Sequence, residues 1–499
     1  MLVVKDRCKR AWRKSQSSLV MFWKQNPLLF FSVIALFGMG LKMHFSWTLL
    51  WITVTFALFQ WERFLYSLPL LVACFFYAPN RHPFEEAAYV QGIFYPSRVE
   101  KQTAHFRKGW ILQGTFVTRG HSVSARVSLR KLPRRISPFV VEGICKNRGD
   151  YQCSLFPKKP VQLLEPTFAS AFVQIRFRLT QKIDRWIFSH VPSMVVAQFL
   201  RAFFLGKKED LYLNYSFQTL GLSHILAISG FHFALFAAVF FTLFSLLVSI
   251  FRAKIYCLVF VSVYALLLQN SPSSFRAFIL ISLVLFSDLF GKKVRIYNLL
   301  GACLLIALLL DPTSMQSPSL QLSYLSCFAL LLFYAPIFQA LERCFYKKTP
   351  LAREQREGIK QPFGKMWVQT AAQKWSFYLK SALSASLAIY FLSAPLVLAR
   401  FSSISFASLL YNLFVPILLG GLMGLWAILW PLCFHPYAAF LLTCLTEKAL
   451  NICLFPPVFC KNLTYLGEFS SDFALTWVSL LLFIGFTLQG GTLFRYDIE

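Results

Sequence analysis

Carboxylates are scarce in this chain: 21 Asp and Glu stand against 50 Lys and Arg in 499 residues, a formal charge of +29. Charge of either sign is thin too, at 14% of residues, where a soluble globular chain carries about 25%. That shortage argues against a soluble enzyme. The 12 cysteines contain no CxxC pair, which argues against a zinc framework or a disulfide-rich secreted fold. No GxxxxGK[ST] loop occurs, so the chain lacks the common phosphate cradle of ATP-driven proteins. What is abundant is apolar: 57% of the residues are hydrophobic and 55 are Phe. The composition predicts a polytopic α-helical membrane protein. Part of the cationic excess then reflects topology, because basic residues collect in cytoplasmic loops. The rest draws the chain toward polyanions, nucleic acid or anionic lipid.

Residues 1–26 form a basic tail with Lys5, Arg7, Lys9, Arg10, Arg13, Lys14 and Lys24 against a single acid, Asp6. No small-residue cleavage site follows. The apolar sequence runs on through 27–80, interrupted only by Lys42, Glu62 and Arg63. This reads as an uncleaved anchor with a cytoplasmic N-terminus. At about 20 residues per crossing, the stretch holds two comfortable helices or three short ones, and three are expected.

The character changes over residues 85–166, where β-rich runs (88–94, 110–118, 122–129, 139–145 and 151–156) are punctuated by Gly, Pro and Ser. Five short strands in so few residues fit a small inserted all-β domain of the OB-like type. Cys145 and Cys153 flank Asn147-Arg148-Gly149-Asp150. A turn centred on Gly149 sets them opposite each other, a geometry for a disulfide on an oxidising side; two free strand thiols are the alternative. Between Arg98 and Lys159 there are fourteen Lys or Arg and three acids, interleaved with Phe106, Trp110, Phe116, Phe139 and Tyr151. A basic groove with aromatic platforms is how single strands are held without sequence preference. Arg107, Lys108, Trp110, Arg119, Arg126 and Arg130 are the candidate DNA contacts. The competing reading is a solvated basic face over a core that consumes the aromatics.

Residues 167–210 show Phe172, Ile175, Leu179, Ile183, Trp186 and Ile187 at three- and four-residue steps, with Arg176, Arg178, Lys182 and Arg185 between. That is the pattern of amphipathic helices lying on a bilayer. Over 211–490 apolar segments return near 225–250, 255–269, 275–290, 296–310, 318–341, 378–400, 404–432 and 474–490. The clusters Arg252/Lys254 and Lys292/Lys293/Arg295, with a 342–376 loop carrying eight Lys or Arg, separate alternate pairs and are assigned to the cytoplasm. Ser271–Ser274 and Asp311–Ser317 then fall on the outer side. Residues 436–456 lie flat or cross, which leaves the side of the C-terminus open.

Polar motifs inside this apolar region carry the information. Gly221–His232 (GLSHILAISGFH) sets His224, Ser229 and His232 among lipid-facing residues, where polar groups need a partner or a watery path. The histidines are eight residues apart, about 80° around a helix, with no carboxylate near, so packing or pathway lining is preferred to a metal. Asp311–Tyr324 (DPTSMQSPSLQLSY) reads as a helix–turn–helix that brings Gln321 and Tyr324 into the apolar region. Ser271–Ala277 (SPSSFRA) places Arg276 one turn into a helix, either snorkelling to the interface or standing beside an anion path. Gly420, Gly421 and Gly424 suit close helix packing.

GLSHILAISGFHF resembles the signature of the ComEC-type competence proteins, the inner-membrane DNA-uptake channel of transformable bacteria. SPSSFRAF, DPTSMQSPSLQLSYLSCFALL and ISFASLLYNLFVPILLGGLMGL follow in that family's order over about 200–490, and the family also carries an OB-like domain after its N-terminal helices. The resemblance implies a multi-pass protein of the bacterial inner (cytoplasmic) membrane that passes single-stranded DNA, with His224, Ser229, His232, Arg276, Gln321 and Tyr324 as pathway lining. It implies membrane lipids and separate DNA-receptor, nuclease and ATP-driven motor proteins as partners, and a homo-oligomer as an option. No cofactor and no metal are expected. Many members end in a metallo-β-lactamase-like domain; no HxHxDH motif occurs here, so no nuclease role carries over. Phe231 and Phe233 stand where aliphatic residues are usual in the family. The competing classes are a polytopic membrane enzyme using His224, Ser229 and Asp311, and a small-anion transporter using Arg276.

Overall fold

A computed structural model describes residues 22–43, 53, 61–78, 87–104, 107–118, 121–147, 152–207, 211–222, 230–268, 272–346, 363–454, 464–467 and 469–496. Helices α1 (Pro27–Met43) and α2 (Trp61–Tyr77) come first. Strands β1 (Ala87–Ala104), β2 (Arg107–Thr118), β3 (His121–Leu129), β4 (Phe139–Asn147), β5 (Gln152–Pro157) and β6 (Gln162–Leu163) come next. Then come α3 (Phe168–His190), α4 (Met194–Leu205), α5 (Leu211–Thr219), α6 (Gly230–Leu247), α7 (Ile250–Leu267), α8 (Pro272–Leu289) and α9 (Ile296–Leu310). A 3-10 turn (Pro312–Gln316) leads to α10 (Pro318–Tyr346), α11 (Phe363–Phe401), β7 (Ser403–Ser405), α12 (Ala407–Tyr411) and α13 (Val415–Leu429). A second 3-10 turn (Trp430–Phe434), α14 (Pro436–Leu454), β8 (Thr464–Leu466) and α15 (Ser471–Tyr496) complete the described order.

The first five strands close into a barrel: the order is β1-β2-β3-β5-β4, and β4 pairs back onto β1. All contacts are antiparallel except β3 with β5. Period-two patterning drives the closure, since Val90, Phe94, Leu112, Phe116, Val127, Phe139, Val141 and Leu155 all point inward. Each fully buried Phe contributes roughly 1.5–3 kcal/mol. Strand β1 runs on past the expected Phe94. A bulge at Pro96/Arg98 bends it, so its first half pairs with β4 and its second half with β2.

Helix α3 is part of the barrel's closure. Val173 joins the barrel core, and Phe177 sets its ring edge-on to Trp110 at 5.8 Å. Its other face leaves Phe168, Phe172, Ile175 and Leu179 exposed, the amphipathic division expected of 167–190. The helix stops at Val191, before Pro192. The next helix differs from the expected interfacial one: α4 is buried nearly all round and sits in the helical core. Gly206 ends it in the left-handed conformation, φ 70°.

Among the described residues four helices are long and apolar enough to cross a membrane: Gly230–Leu247, Ile250–Leu267, Pro318–Cys344 and Lys374–Phe401. Shorter apolar helices, α1 and α9 among them, pack beside them. Helices α1 and α2 run in the same direction, because Lys42 at the end of α1 donates to the Ala78 carbonyl just past the end of α2 (2.6 Å). Helix α9 shares that direction. Its start meets the start of α1 through Asn298, whose Oδ1 accepts from Leu28 N–H at 3.2 Å, and its end meets α2 where Tyr77 donates to Leu309 O at 2.6 Å. The bundle therefore has a basic end, beside Lys292, Lys293 and Arg295, and a barrel end, where α2 leads into the strands. Gly301 lets α9 press on α1: an added Cβ would stand 2.4 Å from Leu29 N. The expected third N-terminal helix, between Met43 and Trp61, lies outside the described residues.

Candidate functional site

Helix α8 runs into Lys292–Arg295 at the basic end, so its start, carrying Arg276, lies at the barrel end. Arg276 is only 7% exposed. Its Nη1 donates to the Ser323 carbonyl (3.1 Å) and to the Cys327 thiol (2.9 Å), both on α10. The guanidinium also lies over the Tyr324 ring, 5.3 Å from its centroid. On the third side is Gly230, where an added Cβ would come 3.5 Å from Nη2. Thus the starts of α6, α8 and α10 meet around one cation. Among the described residues no carboxylate pairs with it, and its Nε has no hydrogen-bond partner. The Tyr324 hydroxyl, buried at 6% exposure, lies within reach of the Cys303 thiol and meets no oxygen or nitrogen acceptor. The buried guanidinium rests on a carbonyl, a thiol and a ring, with no carboxylate beside it among the described residues. It is a standing attraction for an anion.

The other lining candidates fall elsewhere. His232 is fully buried, its ring edge-on to Phe203 of α4 at 4.4 Å. Two residues of helix turn it about 200° from Gly230 and so away from Arg276. Gln321 donates to Met315 O (2.9 Å) and braces the 3-10 turn, which Asp311 opens by accepting from Thr313 N–H (3.0 Å) and hydroxyl (2.6 Å). Much of the DPTSMQSP motif is thus spent on turn geometry. Gly420 receives the Phe231 ring, 2.8 Å from where a Cβ would sit, the packing role its motif suggested. His224 and Ser229 lie outside the described residues. So do four residues of the expected basic and aromatic barrel face, Phe106, Arg119, Arg148 and Tyr151.

On the barrel, Arg98, Gln113, Arg126 and Ser154 are successive register partners on β1, β2, β3 and β5. They make one polar row across four strands. Glu100 pairs with Arg98 at 2.6 Å and accepts from Gln113 at 3.3 Å. Arg176 on α3 donates to the Ser97 carbonyl beside it. Burial pulls the Arg98 pKa below its ordinary value, with repulsion from Arg126 adding to this and Glu100 opposing it. Arg176 is lowered by burial and then by Arg98. Arg126 and Arg176 thus both repel Arg98, which pairs with Glu100. Arg130 is exposed past the end of β3, while Arg107 and Lys108 pair in β2 with Ala104 and Thr103.

The aromatics divide differently from the expectation. Phe116 and Phe139 are fully buried in the barrel, and Trp110 is the seat for α3. Exposed rings are instead Tyr89, Tyr95 and Phe156. Alternation could have found them, since each neighbours an inward residue (Val90, Phe94, Leu155). Cys145 and Cys153 are both fully buried free thiols. The register sets Cys145 opposite Leu155 and Cys153 opposite Asn147, a two-residue offset that corrects the directly facing arrangement. Their side chains still touch: the hydrogen bond to Cys145, and then burial, push the Cys153 thiol far up.

Among the described residues no three His, Cys, Asp or Glu gather as a metal site would require. A family model described as Competence protein matches residues 204–491. The protein ComE operon protein 3 of Bacillus subtilis (strain 168) is 31% identical over 135 residues, 27% of this chain and 17% of that protein. The match therefore spans under a fifth of that relative's length. No solved structure matches the chain.

Proposed function

The chain belongs to the competence protein family, and from that premise we propose that it is a channel passing single-stranded DNA through the bacterial inner membrane. The observation that carries the reading is Arg276, a buried cation without a carboxylate partner among the described residues, placed where three helix starts meet at the barrel end. A strand brings one phosphate charge per nucleotide into a low-dielectric path, and a fixed cation at the entrance offsets part of that cost. The polar row Arg98–Gln113–Arg126–Ser154, with Tyr89, Tyr95 and Phe156 exposed nearby on the barrel, supports a weak landing surface for the strand before it enters. In this scheme His224 and Ser229 line the path beyond, Gln321 braces the turn at its mouth and Tyr324 stands with Arg276, while His232 packs against Phe203.

Parallel packing of α1 and α2 supports three N-terminal crossings, because the chain between them must return across the same thickness. With the basic tail in the cytoplasm, the barrel then stands outside, where Cys145 and Cys153 close into a disulfide. DNA receptor, strand-degrading nuclease and ATP-driven motor are separate proteins in this scheme. Delivery of labelled DNA to the cytoplasm, compared in cells with and without this chain, tests the proposal. Equal delivery overturns it.

A further inference from the structure

We infer that Arg276 and Tyr324 form a seat for a single phosphodiester group of the strand, one that reads backbone charge and neither base nor sugar. The inference rests on the channel reading and adds to it the chemistry of one step of recognition. Among the described residues Arg276 Nε has no hydrogen-bond partner, and the Tyr324 hydroxyl beside it has only the soft Cys303 thiol, with no oxygen or nitrogen acceptor. Both side chains are more than nine-tenths buried, so water is not the ready substitute it would be at a surface, and an unmet buried donor is costly. A phosphodiester oxygen accepts from both and neutralises the guanidinium at once.

The field agrees with this occupant. Gly230 brings bare backbone to the fork, where an added Cβ would already touch Nη2 at 3.5 Å. Helices α8 and α10 both begin at this end, so the positive ends of their dipoles add to the guanidinium's field. The nearest polar neighbours, the Ser323 carbonyl and the Cys327 thiol, already fix Nη1 and hold the fork in place. Nothing at the seat is arranged to read a base edge: the remaining ring, Tyr324, is covered by the guanidinium itself. The seat therefore suits any anionic strand and rejects one with an uncharged backbone. Arg276 faces the interior between α6, α8 and α10, which favours a threaded strand over a lipid headgroup.

The test uses the full chain in lipid nanodiscs and a labelled oligothymidylate, with affinity measured over a range of salt. Arg276→Gln should weaken binding about tenfold and flatten the log–log salt slope by about 0.7, the share of one phosphate on a single strand. Arg276→Lys should keep the slope while losing affinity, and Tyr324→Phe should weaken binding several-fold with the slope unchanged. Methylphosphonate linkages, which remove the backbone charge, should erase the difference between wild type and Arg276→Gln. Unchanged affinity and slope in Arg276→Gln overturns the seat. If that variant does not fold, wild-type binding by both Arg276→Lys and Tyr324→Phe overturns it. A phosphatidylglycerol-dependent stabilisation lost in Arg276→Gln, with oligonucleotide binding intact, assigns the site to lipid and also overturns it. DNA delivery that requires the chain but shows no slope change rejects the seat and keeps the channel; the converse rejects the channel alone.

Discussion

Asp184 should be among the least replaceable acids in the chain. It sits on α3 and receives Arg201 of α4 in a forked contact, Nε to Oδ1 at 2.8 Å and Nη2 to Oδ2 at 3.4 Å. Lys207 binds the same Oδ2. The three side chains are 11%, 14% and 12% exposed for Arg201, Asp184 and Lys207, so solvent screens them little. Asp184→Asn leaves two half-desolvated cations sharing a neutral amide, and breaking a buried pair costs about 3–5 kcal/mol. At roughly 2–4 °C per kcal/mol for domains of 150–250 residues, the midpoint should fall on the order of 10 °C. Thermal unfolding in detergent, followed by aromatic circular dichroism, measures it. The triple variant Asp184→Leu, Arg201→Met, Lys207→Met should recover most of the loss, because apolar groups of similar size need no partner. A midpoint for Asp184→Asn within about a degree of wild type would refute the reasoning, as would a triple variant no better than the single one.

Further outcomes are expected elsewhere. Gly301→Val should separate α9 from α1, whose backbone lies 2.4 Å from the added Cβ, and so reduce protein abundance in the membrane while Gly421→Ala, in open space, does not. A reporter active only in the cytoplasm, inserted after Gly120, should stay silent; activity there would return the barrel to the inner side. A fragment of residues 87–190, which keeps the Val173 closure, should bind single-stranded DNA weakly with a steep salt slope, and Arg126→Gln should flatten that slope by about 0.7; salt-independent binding returns these residues to a solvated face. Cys153, with its thiol pushed up by Cys145 and burial, should resist iodoacetamide in the reduced folded protein and react once it is unfolded.

Much of the architecture was readable in the pattern of residues. Long apolar runs mark the helices, and period two marks the strands, because burial imposes those periods directly. The second half of β1 escaped because Pro96 and the polar run Arg98–Ala104 read as a loop, yet a bend lets that segment pair with β2. The β7–β8 pair escaped because Ser403–Ser405 meets Thr464–Leu466 across a long sequence distance, with only three residues a side. Helix α4 was misplaced on the surface although MVVAQFLRAFFL is apolar apart from Gln198 and Arg201, which signals burial. At the candidate site Arg276 and Tyr324 were legible as costly polar groups. Gly230 and Cys327 were not, since their role is set by which helices meet. The cysteine offset depends on turn register, which spacing alone does not determine.

Val173 completes the barrel core from a helix synthesised after every strand of the barrel. The order of synthesis therefore has a consequence for assembly. While the strands are emerging, the barrel lacks its last core side chain and the Phe177 ring that steadies Trp110, and it remains the weaker folding unit. It closes only once α3 is made, and α3 is held in turn by Arg201 and Lys207, which come later still. In the proposed topology a domain that ripens late stays pliable as it is moved outward, and its final folding follows the synthesis of α3 and of the residues that hold it.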